Sequence, residues 1–189
     1  MAVQPHPDTP FTGEMEVLQN PEELASLIEV YRELAPRRVV EIGTWDGGTL
    51  REWLTQGEPD VVVAVDLEHR NPGAYAEWRG EATDLVVVTG STWDESTWDE
   101  IAPHGPFDFA FVDGDHGDFG VRCDWSFLRP LMAEGAVAAF HDISAPIDYP
   151  GPYPPAKLVN ELEAEGLRVE RFQQGGTSPW AQGIGVVWL

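Results

Sequence analysis

Only one cysteine, Cys123, occurs among the 189 residues, which excludes an internal disulfide and a thiolate zinc site. Basic residues are scarce as well: 11 Lys plus Arg against 33 Asp plus Glu leave a formal charge of −22. So negative a surface repels phosphate backbones and anionic lipid, so neither nucleic acid nor a membrane is the expected partner. No apolar run approaches the roughly 18 residues that would mark a bilayer-spanning helix. The opening stretch MAVQPHPDTPF has neither a basic start nor an apolar core, so no secretory leader is expected and the cytoplasm is the expected compartment.

What is present is ordinary for a folded chain: 42% apolar and 23% charged residues, far from a disordered composition. The length suits one domain with a real core better than two. Eight tryptophans add aromatic surface for packing or for stacking on a ligand.

Pro5, Pro7 and Pro10 mark residues 1–19 as an extended arm or lid before a domain over 20–189. Asn20-Pro21-Glu22-Glu23 supplies an N-cap, a proline at the first helical position and acids in the first turn. Leu24, Leu27, Ile28, Tyr31 and Leu34 follow at helical spacing until Pro36 stops them. RRVVEIG (37–43), VVVAVD (61–66), DLVVV (84–88), FDFAFVD (107–113) and GAVAAFHD (135–142) read as buried strands. Helical segments are expected between them, one ending near Leu54 and others near 72–79, 94–101, 118–132 and 155–165. This alternation predicts an α/β, Rossmann-like, doubly wound domain whose mostly parallel sheet is covered on both faces. LRVERF (167–172) and GIGVVWL (183–189) flank a Gly/Ser/Pro turn and read as a hairpin. The sheet should therefore have about seven strands, with an antiparallel C-terminal strand. The tandem STWDESTWDE (91–100) has a five-residue period that matches neither helix nor strand, so its halves should face different ways.

VVEIGTWDGGTL (39–50) occupies the first strand–helix junction. A dinucleotide fingerprint needs Gly-x-Gly-x-x-Gly there, but Trp45 stands at the second glycine's place, and no lysine follows as a phosphate loop requires. Asp66 closes the second strand 23 residues after Gly43, where a carboxylate can accept both hydroxyls of a ribose. That placement suits an adenosyl group without choosing the cofactor.

FVDGDHGDF (111–119) crowds three carboxylates and His116 behind a strand. Counted from Asp113 as a calcium loop, glycine and the closing acid fall out of place, because position 6 is Asp118 and position 12 is Asp124. Ligands of doubly wound sheets bind at the carboxyl ends of the strands. Asp113 ends the fourth strand, and His141 and Asp142 end the fifth, 28 and 29 residues later. Neighbouring strand ends lie about 5 Å apart, so these side chains can converge on one cation. Asp118 is read as a helix cap and Asp115 as solvated; His6, His69 and His104 are read as surface residues.

Glu41 followed by Gly-x-x-x-Gly-Gly resembles the first motif of class I S-adenosylmethionine-dependent methyltransferases. FDFAFVDGDH, DWSFLRPLMAEGAV and FHDI resemble the metal-dependent small-molecule O-methyltransferase group, over roughly residues 20–189. That group includes macrocin-type sugar O-methyltransferases, cephalosporin-hydroxylase-like proteins and, more distantly, catechol O-methyltransferase. The resemblance implies that Glu41, Gly43, Thr44, Trp45, Gly48, Asp66, Leu67, Gly90, Ser91 and Asp113 meet S-adenosyl-L-methionine. It implies metal ligands at Asp113, His141 and Asp142, for Mg²⁺ or a similar divalent cation, and a general base at His116. His141 departs from the group, which carries an acid or amide there; an imidazole lowers the ligand charge. The expected reaction is methyl transfer to a hydroxyl of a small-molecule acceptor, and a homodimer is left open. The proline- and tyrosine-rich stretch SAPIDYPGPYPP (144–155), with the arm, is expected to roof the acceptor. An NAD-dependent enzyme and a non-catalytic cofactor-binding protein are the rival readings.

Overall fold

Asn20 begins the first helix as its side chain dictates: Oδ1 accepts the Glu22 amide at 2.9 Å and the Glu23 amide at 3.4 Å. In the computed structural model, which describes residues 19–146, 149–173 and 182–189, this helix is α1 (Pro21–Leu34). It ends at Ala35, whose left-handed backbone (φ 48°) sends its amide to the Tyr31 carbonyl at 3.0 Å. The anticipated arm lies outside the described residues apart from Gln19.

The elements alternate: β1 (Arg38–Ile42), α2 (Gly48–Thr55), β2 (Val61–Asp66), α3 (Pro72–Trp78), β3 (Asp84–Thr89), α4 (Glu95–Ile101), β4 (Phe107–Val112) and α5 (Asp118–Leu128). They continue with β5 (Met132–Ser144), α6 (Pro154–Ala164), β6 (Arg168–Phe172) and β7 (Gln182–Trp188). The seven strands form one sheet in the order β3-β2-β1-β4-β5-β7-β6. All neighbours from β3 to β5 pair in parallel, and β7 runs antiparallel to both β5 and β6. The hairpin read from the sequence is therefore present, with β7 slotted between β5 and β6.

Alternating strand residues serve two cores. Val40, Val63, Ala110 and Ala138 face α4, α5 and α6 through Trp98, Trp125 and Leu158. Val39, Val62, Phe109 and Val137 face α1, α2 and α3 through Leu27, Trp53 and Tyr75. The tandem divides as its period requires: Trp98 is buried at 4% exposure, whereas Trp93 is 54% exposed.

One boundary departs from the sequence reading. The helix expected over 118–132 stops at Leu128, because Pro130 brings no amide to continue the ladder. A 3-10 turn over Arg129–Leu131 follows, and the next strand begins at Met132.

Candidate active site

The strand order reverses between β1 and β4, and their carboxyl ends meet there. Gly43 makes that junction possible. It sits at φ 86°, and a Cβ added to it would lie 2.2 Å from the Asp113 carbonyl oxygen. Its amide reaches the Val65 carbonyl at 2.8 Å, and the Asp113 amide reaches the Ile42 carbonyl at 2.8 Å.

Asp66, ending β2, organises the turn that follows Gly43. Its Oδ2 accepts the amides of Thr44 at 2.7 Å and Trp45 at 2.8 Å, and the Thr44 hydroxyl at 3.2 Å. Trp45 is held with φ 48° under the Arg70 guanidinium, 3.3 Å above its ring. Gly43, Thr44, Trp45, Asp46, Gly48, Thr49, Asp113 and Gln19 line a cavity of about 40 Å³. Glu41 lies one layer beneath it, fully buried, with the Thr49 hydroxyl donating to its Oε1 and the Trp53 indole also close; Oε2 has no aligned hydrogen bond among the described residues. Burial pushes its carboxyl well above the usual range. Leu67 (72% exposed), Gly90 and Ser91 stand at the ends of β2 and β3 on the same rim of the sheet. Gly90 has a packing reason: a Cβ there would come within 2.5 Å of the Thr97 hydroxyl.

His69 is not the free surface residue the sequence suggested. Its Nδ1 lies 3.2 Å from the Thr44 hydroxyl and its Nε2 2.9 Å from the Val88 carbonyl, so it ties the turn to β3.

The four remaining candidates converge. Asp113 Oδ1 lies 3.1 Å from His116 Nε2 and 3.1 Å from His141 Nδ1. His116 Nδ1 lies 3.2 Å from Asp142 Oδ2, and His141 Nδ1 lies 3.1 Å from Asp142 Oδ1. Consecutive residues of a regular strand point to opposite faces, yet His141 and Asp142 share one cluster. The backbone explains it. Asp142 adopts φ 59°, and the pairing of β5 with β7 slips between His141 and Ser144.

Charge then sorts the groups. Against its burial, the His141 charge and hydrogen bonds from both imidazoles hold the Asp113 carboxyl well below the usual range. Burial outweighs the same imidazoles at Asp142, which is raised. Burial alone would lower both histidines, but the Asp113 and Asp142 carboxylates reverse this: His116 is raised, and His141 rises to about 9. One ligand atom from each of Asp113, His141 and Asp142 lies within 4.8 Å of the others. His141 Nε2 and Asp142 Oδ1 are buried without an aligned hydrogen bond among the described residues. Carboxylate oxygens and an imidazole so arranged fit a divalent cation.

The other acids of FVDGDHGDF do structural work. Asp115 Oδ1 accepts the Gly117 amide at 2.7 Å. Asp118 does not cap α5, whose N-cap is Gly117; it stands in the first turn, 3.3 Å from the Arg122 side chain. Two residues near the cluster escaped the sequence reading, and a third belongs to the stretch expected to roof the acceptor. Gln19 Nε2 donates to Asp113 Oδ2 at 2.8 Å. Glu23, 1% exposed, accepts the Gly183 amide at 2.8 Å, although the sequence shows it only as an acid in a first helical turn. Tyr153 is buried, its ring 6.4 Å from that of His116 and 4.8 Å from that of Tyr149.

Comparison with known proteins agrees with this geometry. A family model described as a methyltransferase domain matches residues 40–143, from β1 through the His141–Asp142 end of β5. The chain belongs to this methyltransferase-domain family. The match falls on the methyltransferase reading and not on the NAD-dependent one. Solved methyltransferases share the fold. An O-methyltransferase from Bacillus cereus, in complex with SAH, superimposes with a TM-score of 0.67 at 20% identity, over 90% of this chain and 82% of its own. The O-methyltransferase TomG from Streptomyces achromogenes, in complex with SAM, gives 0.62 at 21% identity, over 87% and 78%. The MycE methyltransferase of the mycinamycin biosynthetic pathway, in complex with Mg and SAH, gives 0.59 at 19% identity, over 86% of this chain but 48% of its own. No curated protein matches the chain in sequence. Among the described residues no helix is long and apolar enough to cross a membrane.

Proposed function

We propose that this member of the methyltransferase-domain family moves a methyl group from S-adenosylmethionine to a hydroxyl of a small molecule. The carrying observation is the convergence of Asp113, His116, His141 and Asp142 beside the cavity that the glycine turn lines. S-adenosylmethionine supplies an electrophilic methyl, and sulfur keeps the bonding pair as S-adenosylhomocysteine leaves. A divalent cation held by Asp113, His141 and Asp142 would lower the pKa of the acceptor hydroxyl.

The chain's own groups do the rest. His116 takes the hydroxyl proton on a ring nitrogen; both nitrogens now face carboxylates and its pKa is raised, so the imidazole must first release a proton to solvent and open one of these contacts. The Gly43 turn brings the cofactor cavity up to Asp113, shortening the path between methyl donor and acceptor. Leu67, Gly90 and Ser91 would border the adenosyl group. Asp66 would receive the ribose on Oδ1, which accepts the Glu68 amide at 3.2 Å and keeps a lone pair, since Oδ2 is committed to the turn. Tyr149 and Tyr153 form an aromatic wall next to His116, suited to a planar or sugar ring.

A second reading has its own support: the two raised imidazoles and two carboxylates already pair with one another, although His141 Nε2 and Asp142 Oδ1 have no aligned hydrogen bond among the described residues. In that reading the protein binds the cofactor without using a metal. One experiment separates the two. Purified protein is given S-adenosylmethionine with panels of catechols and deoxysugars, with Mg²⁺ or with EDTA, and S-adenosylhomocysteine is measured. Product that disappears with EDTA supports the cation-assisted reaction; EDTA-insensitive turnover supports the second reading. Failure to bind S-adenosylmethionine in calorimetry would overturn both.

A further inference from the structure

Gln19 stands directly before α1 and touches both halves of the site. Its carboxamide nitrogen donates to Asp113 Oδ2 at 2.8 Å, it is 8% exposed, and its side chain lines the cavity with the glycine turn. An ionised Asp113 accepts hydrogen bonds only, so the amide must present its NH₂ group to it, not its oxygen. The other carboxylate oxygen, Oδ1, faces both imidazoles at 3.1 Å each. Asp113 is therefore pinned in rotation, with one oxygen toward the His141–Asp142 side and one toward the cavity. Gln19 is itself well anchored. The Asn20 cap fixes the helix start, and Glu23, one turn on, accepts the Gly183 amide at 2.8 Å and fastens that turn to β7.

We propose that Gln19 is a positioning residue of the site: its amide holds Asp113 turned so that Oδ1 alone faces a divalent cation while Oδ2 stays hydrogen-bonded. This rests on the reading that Asp113, His141 and Asp142 hold the cation. A ligating carboxylate free to rotate loses orientation each time it binds, and removing the hydrogen bond behind a ligand weakens metal binding by about 10- to 100-fold.

The test uses Mn²⁺ as a paramagnetic divalent probe, titrated into the chelator-treated full chain while electron paramagnetic resonance reads the free ion. Gln19→Leu removes the donor at similar volume. Gln19→Asn keeps an amide but shortens its reach by one methylene. Both variants should bind Mn²⁺ about 10-fold more weakly, while melting within about 2 °C of the wild type, less than 1 kcal/mol would produce. A residue that served only the fold would shift the melting temperature and leave the affinity of the folded protein unchanged. Wild-type Mn²⁺ affinity in a folded variant overturns the role of Gln19 and leaves the cation site standing. No Mn²⁺ binding by the wild type overturns the cation reading, and this one with it. Should the Leu variant fail to fold, the Asn variant decides.

Discussion

His116 is the side chain on which the proposed chemistry turns, because it alone contacts both Asp113 and Asp142 through different ring nitrogens. His116→Ala should lower kcat by about 10²- to 10⁴-fold, the usual worth of a positioned base. S-adenosylhomocysteine affinity by calorimetry should be unchanged, and an unaltered kcat would remove the assignment. The convergence of Asp113, His141 and Asp142 was legible because doubly wound sheets gather ligands at strand ends and two apolar runs stop at these residues; His116 was singled out only by the family resemblance. Gln19 was not, since its contact with Asp113 spans 94 residues and no local pattern encodes it. Asp124 was also silent. It is fully buried in α5 with neither oxygen in an aligned hydrogen bond among the described residues, and burial, opposed by the nearby Thr92 hydroxyl, lifts its carboxyl to about 6. Holding an acid near 6 instead of near 4 costs about 3 kcal/mol once it is ionised. The folded chain keeps this proton while the unfolded chain releases it, so stability falls as pH rises from about 4 to about 6. Asp124→Asn should therefore melt several degrees higher than the wild type at neutral pH, with the difference vanishing near pH 4. Equal melting temperatures at pH 7.5 would refute the penalty.

At the scale of elements, caps and apolar periodicity predicted α1, β1, β2 and α4 nearly to the residue. The misses have local causes. Pro130 ended α5 early, and β5 began three residues ahead of its apolar run because Met132 pairs with Phe107 before the register shifts. Asp142's left-handed backbone could not be read from sequence, because only glycine announces that conformation clearly. Ala35 offers a clean test of the same physics. It closes α1 at φ 48° without the freedom of glycine. Ala35→Gly should stabilise the protein by about 1 kcal/mol, the order of the left-handed penalty for a residue with a Cβ. Chemical denaturation measures it, and a loss of stability would show that Ala35's methyl group matters more than its backbone.

For the whole molecule, the formal charge of −22 sets a background repulsion that folding must overcome. Raising NaCl from about 20 mM to about 200 mM should raise the melting temperature, because the screening length shrinks from roughly 20 Å to under 10 Å. A flat or falling trend would mean that surface ion pairs such as Arg122–Glu161 outweigh that repulsion. The α/β class, the number of strands and both covered faces were legible at this scale; the sheet order, with β7 between β5 and β6, was not, because no local pattern encodes which strands pair. The 144–155 stretch was expected to roof the acceptor, while the place of Tyr153 beside His116 comes from the tertiary fold.

The cluster is assembled from chain segments that meet late. Gln19 and Asp113 are 94 residues apart, and His141 lies 28 residues beyond Asp113. Closing such loops costs entropy before any contact rewards it, so a half-folded chain does not display the site. Whatever binds there selects the folded chain and adds about 2.7 kcal/mol when present at 100 times its dissociation constant. The proposed reaction centre is then also a clasp: an occupant closes the chain as the chain closes around it.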